Sequence, residues 1–546
     1  MKRRIFYYLG LLGLSFIVCL PLILPFFKAG FFPSHDGEWA VVRLSDMYRL
    51  FKDLQFPARF SGYLNFQYGY PLFNFAYPLP YYLGAIFVFL KLGFVNSIKI
   101  LFSLSVILSF FSMFLLSKDI WKNKWSALVS SILYIYVPYR IVDLYVRGSI
   151  GESLSFVLFP LILLGIKKIY EKGKPLDIGL TGVLFSLLIA THNIMTVLFG
   201  LVIFFIALIA LFTKKINFLA KLLLSMILSL CFSAFFWIPA IFEKNLILLS
   251  KIPIADRGLY FVKPLQLIIP QWGYGTPTST DPFGYQIGIA QLIILVLVLL
   301  FSLINIKKNK TAVIALFFAI VTFILSFLFF SQSAFVWKYV PLLSEINYPW
   351  TMLAILMFLI SFVAGYFASL GKLFKVISLA ISILAIVLVL PFAKPQYAVN
   401  RGDAYYVTNQ GTTTSSSELM PLWVKELPVQ SWNNKVEVLS GTVQNIIYTS
   451  NKISFMVNLS KSEPVRINTV YYPGWTFFVD GIKTKINYNN QFGVMDLRIN
   501  AGQHFIKGSF GETPIRLLSD LISFFSILGF AVYLFFRLFL KLKNHE

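Results

Sequence analysis

The sequence predicts a polytopic α-helical membrane protein, a bundle of about twelve transmembrane helices with a β-sandwich outside the membrane and a final spanning helix. Three observations predict it. Of 546 residues, 58% are hydrophobic and only 13% charged, with a mean hydropathy of +0.76. Apolar runs of spanning length recur to about residue 391. Beyond them the pattern shortens and alternates, until one last apolar run begins near 514.

The elements follow in order. The first apolar segment, 5–27, follows Lys2-Arg3-Arg4 like a signal peptide. It is long and lacks a small-residue cleavage site, so an uncleaved first helix is expected. Basic residues cluster at 2–4, 118–124, 167–174, 214–215, 307–310, 372–375 and 537–543. Cytoplasmic loops carry the lysine and arginine excess, so these segments are assigned to the cytoplasm. The net charge of +24 is thereby assigned to topology, not to nucleic-acid binding.

The expected spans are 5–27, 97–117, 125–142, 152–170, 176–191, 194–213, 217–242, 287–306, 311–330, 351–370, 374–391 and 514–538, with both termini inside. Residues 79–94 are apolar too, but counting them as a span would put 118–124 outside. The run is short and opens with Pro78, Pro80, Tyr81 and Tyr82, so a helix lying in the outer interface is expected. The outer surface then carries 28–96, a short loop at 139–151, a loop at 243–286, and 393–513.

In 393–513 short alternating runs begin at Lys435, Asn445, Ile453 and Arg466, and Asp480-Gly481 is a hairpin signal. A turn is also expected at Asn500-Ala501-Gly502, and a polar loop at 412–417. These predict an antiparallel β-sandwich of ~120 residues. The expected domains are 1–392, a membrane domain with outer loop 28–96; 393–513, extracytoplasmic and β-rich; and 514–546, a last helix and tail.

Ionisable residues concentrate at outer helix ends. Ser34-His35-Asp36-Gly37-Glu38 follows the first span, and 38–54 is an amphipathic helix. Asp36 has two readings: N-cap of that helix, or, beside His35 and Glu38, a general base or divalent-cation ligand. Mg or Mn would suit Asp36 and Glu38; no cofactor is otherwise indicated. Arg59 and Tyr68 lie in an aromatic stretch that suits an interfacial belt or the binding of sugar rings and lipid tails.

Arg140, Arg147 and Glu152 form a third group. Arginine grips phosphate oxygens with a two-pronged fork, whereas a structural salt bridge is the plainer role. His192 interrupts an apolar run, as an intramembrane functional group or a helix-turn hydrogen-bond partner. Cys19 and Cys231, the two cysteines, sit in apolar segments and suggest no disulfide or zinc site. No nucleotide-binding motif is present.

Several of these motifs resemble one family. They are His35-Asp36-Gly37; Tyr68-Gly69-Tyr70-Pro71 with Pro78-Leu79-Pro80-Tyr81-Tyr82; Arg147-Gly148 with Gly151-Glu152; and Thr191-His192-Asn193. Tyr471-Tyr472-Pro473-Gly474-Trp475, Val479-Asp480-Gly481 and Ala501-Gly502-Gln503-His504 add the most specific match. The chain resembles the YfhO-like and pyruvoyl-tetrahydropterin-synthase-related bacterial membrane proteins, grouped with the GT-C glycosyltransferase superfamily.

The resemblance implies transfer of a sugar from a polyprenyl-phosphate donor to a glycan, lipid or protein acceptor on the outer face of the cell membrane. It maps an acidic first-loop residue onto Asp36 and implies interfacial helices in that loop. Where the family often has Pro-Trp-Arg, this chain has Pro349-Trp350-Thr351, so no arginine role carries over there. Two other functions stand beside it: a transporter or flippase of lipid-linked saccharides, and a non-catalytic scaffold presenting the β-domain. No repeat of the transporter kind is evident, and the ionisable residues lie at helix ends.

The charge pattern predicts that a cysteine at position 409 reacts with a membrane-impermeant thiol reagent added outside, while one at 123 does not. Equal labelling of both would overturn the topology.

Overall fold

The computed structural model describes residues 2–397 and 399–543. All the expected spans are helical. Eight helices are long and apolar enough to cross a membrane: Leu9–Phe27, Phe94–Trp121, Ile150–Glu171, Asn193–Phe212, Lys310–Phe329, Pro349–Ser369, Lys372–Phe392 and Pro514–Leu540. Two further spans are broken, Lys124–Ile135 with Pro138–Arg147 and Ile216–Phe232 with Ala234–Phe242, which raises the count to ten if each pair is one span. Pro175–Thr191 and Ile289–Asn305 are apolar but shorter. Leu79–Phe89 has 11 residues; at ~1.5 Å per residue it is too short to cross a ~30 Å core. Residues 544–546, the end of the expected tail, lie outside the described residues.

Internal contacts divide the chain into two compact units interleaved in sequence. The first comprises residues 1–40, 95–230 and 255–402; the second comprises 41–94, 231–254 and 403–546.

In the first unit the core is the helix within Pro349–Ser369. It is apolar on every side, so it can be satisfied only by burial, and residues 349–368 are buried without exception. Gly365 permits its closest approach to a neighbour: a Cβ there would lie 2.5 Å from the Trp121 ring and 2.7 Å from Ser130 Oγ. The Trp121 indole N–H donates to the Phe362 carbonyl at 3.0 Å, so the same approach satisfies a buried donor.

One expectation is corrected here. Residues 139–151 are not an exposed outer loop. Pro138 lacks the N–H that would continue the preceding helix. The chain therefore restarts at Pro138–Val142 and widens into a π-helical turn at Asp143–Arg147. It bends by 46° and stays buried.

Among the described residues of the second unit, nine strands make two antiparallel sheets. The strands are β1 Val436–Glu437, β2 Gly441–Tyr448, β3 Lys452–Leu459, β4 Glu463–Val470, β5 Trp475–Val479, β6 Ile482–Thr484, β7 Ile486–Asn487, β8 Val494–Ile499 and β9 Gly502–Phe510. One sheet has the order β1-β4-β8-β7 and the other β2-β3-β9-β5-β6. Alternation decides what is buried: Val465, Ile467 and Leu497 from the first, Phe455, Val457 and Ile506 from the second.

The Asp480-Gly481 hairpin forms as expected, with φ of +50° and +83° closing Val479 onto Ile482. The chain also turns at Asn500-Ala501, but the turn carries it from one sheet to the other. The polar loop at 412–417 is not free of the fold. Thr413 is buried and accepts from Arg43 Nε at 3.0 Å, with the Tyr70 hydroxyl also at 3.0 Å.

Glu243 ties this unit together. Its carboxylate accepts from Arg516 (Nη2 at 2.7 Å), Asn74 (2.8 Å) and the hydroxyls of Tyr472 (3.0 Å) and Thr513 (3.1 Å). Removing the cation leaves a buried carboxylate without its counter-charge, which costs about 3–5 kcal/mol. Arg516→Met is therefore expected to lower the thermal unfolding midpoint of the detergent-solubilised protein strongly, and Arg516→Met with Glu243→Gln to recover part of the loss. A single variant that melts with the wild type would show that the ion pair is dispensable.

Candidate functional site

The site is built entirely within the first unit, from the segment after the first span. Phe26, Phe31 and Phe32 anchor that segment against Phe102 and Tyr145. Ser34 Oγ then accepts the Gly37 N–H at 3.1 Å and starts the helix Gly37–Lys52. Ser34 thus supplies the side-chain cap. Among the described residues no backbone N–H donates to the Asp36 carboxylate, which is left facing outward from the helix start.

Two backbone bonds fix where it faces. The His35 N–H donates to the Val146 carbonyl at 3.0 Å and the Asp36 N–H to the Arg147 carbonyl at 2.7 Å. The opposing strip is the π-helical turn, ended by Gly148 at φ +63°. A Cβ on Gly148 would lie 2.6 Å from Ser34 Oγ and 2.7 Å from the Gly37 nitrogen. Glycine is required there twice over, for the left-handed backbone and for the close approach.

This geometry brings Asp36 and Trp350, each distant in sequence, onto the cluster of Tyr139, Arg147 and Glu152. Arg147 Nη2 lies 3.5 Å from Asp36 Oδ2. Arg147 Nη1 pairs with Glu152 and lies 3.3 Å from the Tyr139 hydroxyl. The Tyr139 hydroxyl donates to the other Glu152 oxygen at 2.5 Å. The Trp350 ring covers the guanidinium at 4.6 Å from its centroid, a cation–π contact. Glu152 is in the first turn of Ile150–Glu171, where the helix dipole favours a negative charge.

Exposure separates the two carboxylates. The Glu152 side chain is wholly buried, whereas that of Asp36 is 42% exposed. Arg147 therefore has one fixed counter-charge and one that solvent or a ligand can reach.

Aromatic rings extend the wall. Trp350 packs on Phe283 at 5.0 Å, and Phe283 on His35 at 5.9 Å. His35 Nε2 is 2.9 Å from the Tyr274 carbonyl. Part of the ring reaches solvent. Even so, the protein packed around the rest holds the imidazole below its ordinary pKa; Asp36 opposes that shift and Arg147 adds to it.

The other expected residues are elsewhere. Glu38 turns away to Arg401 at 2.9 Å. Asp36 and Glu38 each hold a different arginine, and among the described residues no group of three or more His, Cys, Asp or Glu side chains could hold a metal. Arg140 is fully buried, donating to Ser153 O at 3.0 Å and Ser105 Oγ at 2.8 Å, with Asp143 at 3.7 Å. His192 caps the helix Asn193–Phe212 by accepting the Met195 N–H at 3.3 Å.

Arg59 and Tyr68 belong to the second unit. Arg59 is buried between Asp520 at 2.7 Å and Glu512 at 3.4 Å, and Tyr68 packs on Phe492 at 5.8 Å. Sequence reasoning missed Tyr139, Phe283 and Trp350 as partners of the site. Trp350 stood out only as the position before a missing arginine, and nothing in the sequence signals that its ring covers Arg147.

A family model for the 6-pyruvoyl-tetrahydropterin synthase related domain, described as a membrane protein, matches residues 73–393. No curated protein matches by sequence. Among solved structures, the Archaeoglobus fulgidus oligosaccharyltransferase in its apo form is similar at 14% identity and a TM-score of 0.41, over 74% of this chain and 57% of that one. The arabinofuranosyltransferase AftD from Mycobacteria is similar at 14% identity and a TM-score of 0.45, over 70% of this chain and 27% of that one. The chain thus spans little more than half of the first structure and about a quarter of the second.

The contact at Gly148 generates a prediction. Gly148→Ala must adopt a left-handed backbone, at about 1–2 kcal/mol, and displace Ser34 and Gly37. The amides of His35 and Asp36 are expected to lose protection in hydrogen–deuterium exchange as their bonds to 146 and 147 open. Unchanged protection would show that the loop is held by other contacts.

Proposed function

The chain belongs to the family of membrane proteins with the 6-pyruvoyl-tetrahydropterin synthase related domain, and from that premise we propose that it is an integral-membrane glycosyltransferase. The donor is a sugar linked to a polyprenyl phosphate, and the acceptor a hydroxyl on a glycan, lipid or protein at the outer face of the cell membrane. Both termini lie in the cytoplasm and residues 393–513 outside, as the lysine distribution favours.

The observation that carries this reading is a half-exposed carboxylate held 3.5 Å from a buried arginine that already has a second, fixed counter-charge. A polyprenyl phosphodiester carries one negative charge, as Asp36 does. Its phosphate oxygens can take the place of the Asp36 carboxylate as the second counter-charge of Arg147. Glu152, Tyr139 and Trp350 keep the guanidinium in position. Asp36, released, is beside the donor and free to accept a proton.

One displacement follows. Asp36 takes the proton of the acceptor hydroxyl while the acceptor oxygen bonds to the sugar C1. The bond from C1 to the phosphate oxygen breaks, and its electron pair leaves with the polyprenyl phosphate. Arg147 stabilises the charge that develops on that oxygen. His35, the exposed end of the ring stack with Phe283 and Trp350, suits contact with a sugar ring.

Asp36→Asn separates chemistry from architecture. Ser34 already caps the helix, so the variant is expected to insert and bind polyprenyl phosphate normally. Its transfer rate from a polyprenyl-phosphate sugar should fall roughly 10²-fold or more. Arg147→Lys keeps the charge but loses the fork and is expected to weaken binding of polyprenyl phosphate. Near-normal transfer by Asp36→Asn would remove the proposed base. Unchanged binding by Arg147→Lys and Arg147→Ala together would remove the phosphate site.

A further inference from the structure

A recess of about 470 Å³ opens at the lysine-rich end of the first unit, lined by Tyr170, Glu171, Lys214, Lys215, Asn217 and Phe218 among others. It is independent of the Asp36 site. It lies where the helix Ile150–Glu171 ends and where Asn193–Phe212 turns into Ile216–Phe232.

The local sequence dictates its shape. The Lys214 N–H donates to the Leu211 carbonyl at 3.0 Å and the Lys215 N–H to the Ala210 carbonyl at 2.8 Å. These bonds close the helix end around Lys214 at φ +55°, a place where glycine is usual. Two lysines are therefore presented in succession on a tight turn. Just beyond Glu171, Gly173 makes room for a third lysine: a Cβ there would lie 2.6 Å from Lys221 Nζ. Tyr170 and Phe218 meet edge to face at 5.3 Å and form the floor.

Charge is unbalanced there. The acidic lining residue, Glu171, is engaged by Lys167 at 2.8 Å. Among the described residues neither Lys214 nor Lys215 has a carboxylate within ion-pairing distance. The following helix begins at Ile216, so the unbonded N–H groups of its first turn face the same region.

Depth identifies the ligand. The spanning helix Asn193–Phe212 ends immediately before the lysines. Leu211, Phe212 and Ile216 are large, apolar and exposed beside the recess, a surface that acyl chains cover. Tyr170 is exposed at the same level, where tyrosine marks the membrane interface. A soluble anion would use the lysines and leave the apolar rim in water.

We propose that this recess binds the phosphate-bearing headgroup of an anionic phospholipid in the leaflet at the lysine-rich end, with Lys214 and Lys215 on the phosphate and the apolar rim against the acyl chains.

The test uses the full chain in nanodiscs of phosphatidylcholine containing a minor fraction of phosphatidylglycerol, with retained lipid measured by native mass spectrometry. Wild type is expected to retain phosphatidylglycerol in preference to phosphatidylcholine. Each lysine near an anionic membrane surface contributes ~1 kcal/mol, so Lys214→Gln with Lys215→Gln should cut that preference roughly thirty-fold. Lys307→Gln with Lys308→Gln, which removes equal charge elsewhere at the same end, should leave it unchanged, and Lys214→Arg with Lys215→Arg should preserve it.

Equal losses in the two glutamine variants would reduce the effect to the general charge of that face and overturn the proposal. So would retention that free glycerol phosphate abolishes at equal concentration, since that assigns the recess to a soluble phosphate ligand. Transfer activity is measured in parallel; its absence in wild type would count against the glycosyltransferase reading and leave the lipid measurement standing.

Discussion

Everything at the candidate site depends on burying one positive charge, the Arg147 guanidinium, in a bundle made mostly of hydrocarbon. Desolvating an ion costs several kcal/mol, which attraction offsets only where the counter-charges and hydrogen bonds are well placed. Here Glu152, Tyr139 and Asp36 supply them along the edge of the fork, and Trp350 supplies the face. The backbone conforms to that need. The broken helix at Pro138 and the π-helical turn carry Arg147 to the loop, and Gly148 lets the loop come close.

The same logic governs the second unit with different residues. Glu243 gathers donors from four side chains, and Arg59 is clamped between two carboxylates and the Phe235 carbonyl. Those clusters are more closed: the Glu243 side chain is 6% exposed, and those of Asp520 and Glu512 are 20% and 28%. The Asp36–Arg147 contact differs in degree: the Asp36 side chain is 42% exposed, more than any carboxylate of those clusters. A closed cluster holds a fold together, whereas an open one can exchange a protein oxygen for a ligand oxygen. That difference singles out Arg147 among the buried arginines as the candidate for phosphate and leaves Arg59 and Arg140 as parts of the framework.

The helices obey solvent more than partner. Residues 349–368, apolar all round, form the fully buried core of the first unit, yet Pro514–Leu540, also largely apolar, is mostly exposed. A lipid environment accepts either outcome, because hydrocarbon replaces protein contact at little cost. Hydropathy alone therefore identifies spans without ranking them by burial.

The sequence by itself determined the class of molecule, the helical segments, the β-rich region with its Asp480-Gly481 hairpin, and the loop in which Asp36 lies. These are local or compositional signals: spanning length, period, turn chemistry and charge clustering are all written within a few tens of residues. It did not determine which of the arginines is open, that Ser34 rather than Asp36 caps the helix, that Glu38 belongs to Arg401, or that residues 139–147 are buried helix. Those outcomes depend on which groups meet across long stretches of chain, and a buried charge takes the partner that packing brings within reach. Only the tertiary structure decides that, because the cost of an unpaired ion in a low-dielectric interior is set by its neighbours in space and not by its neighbours in sequence.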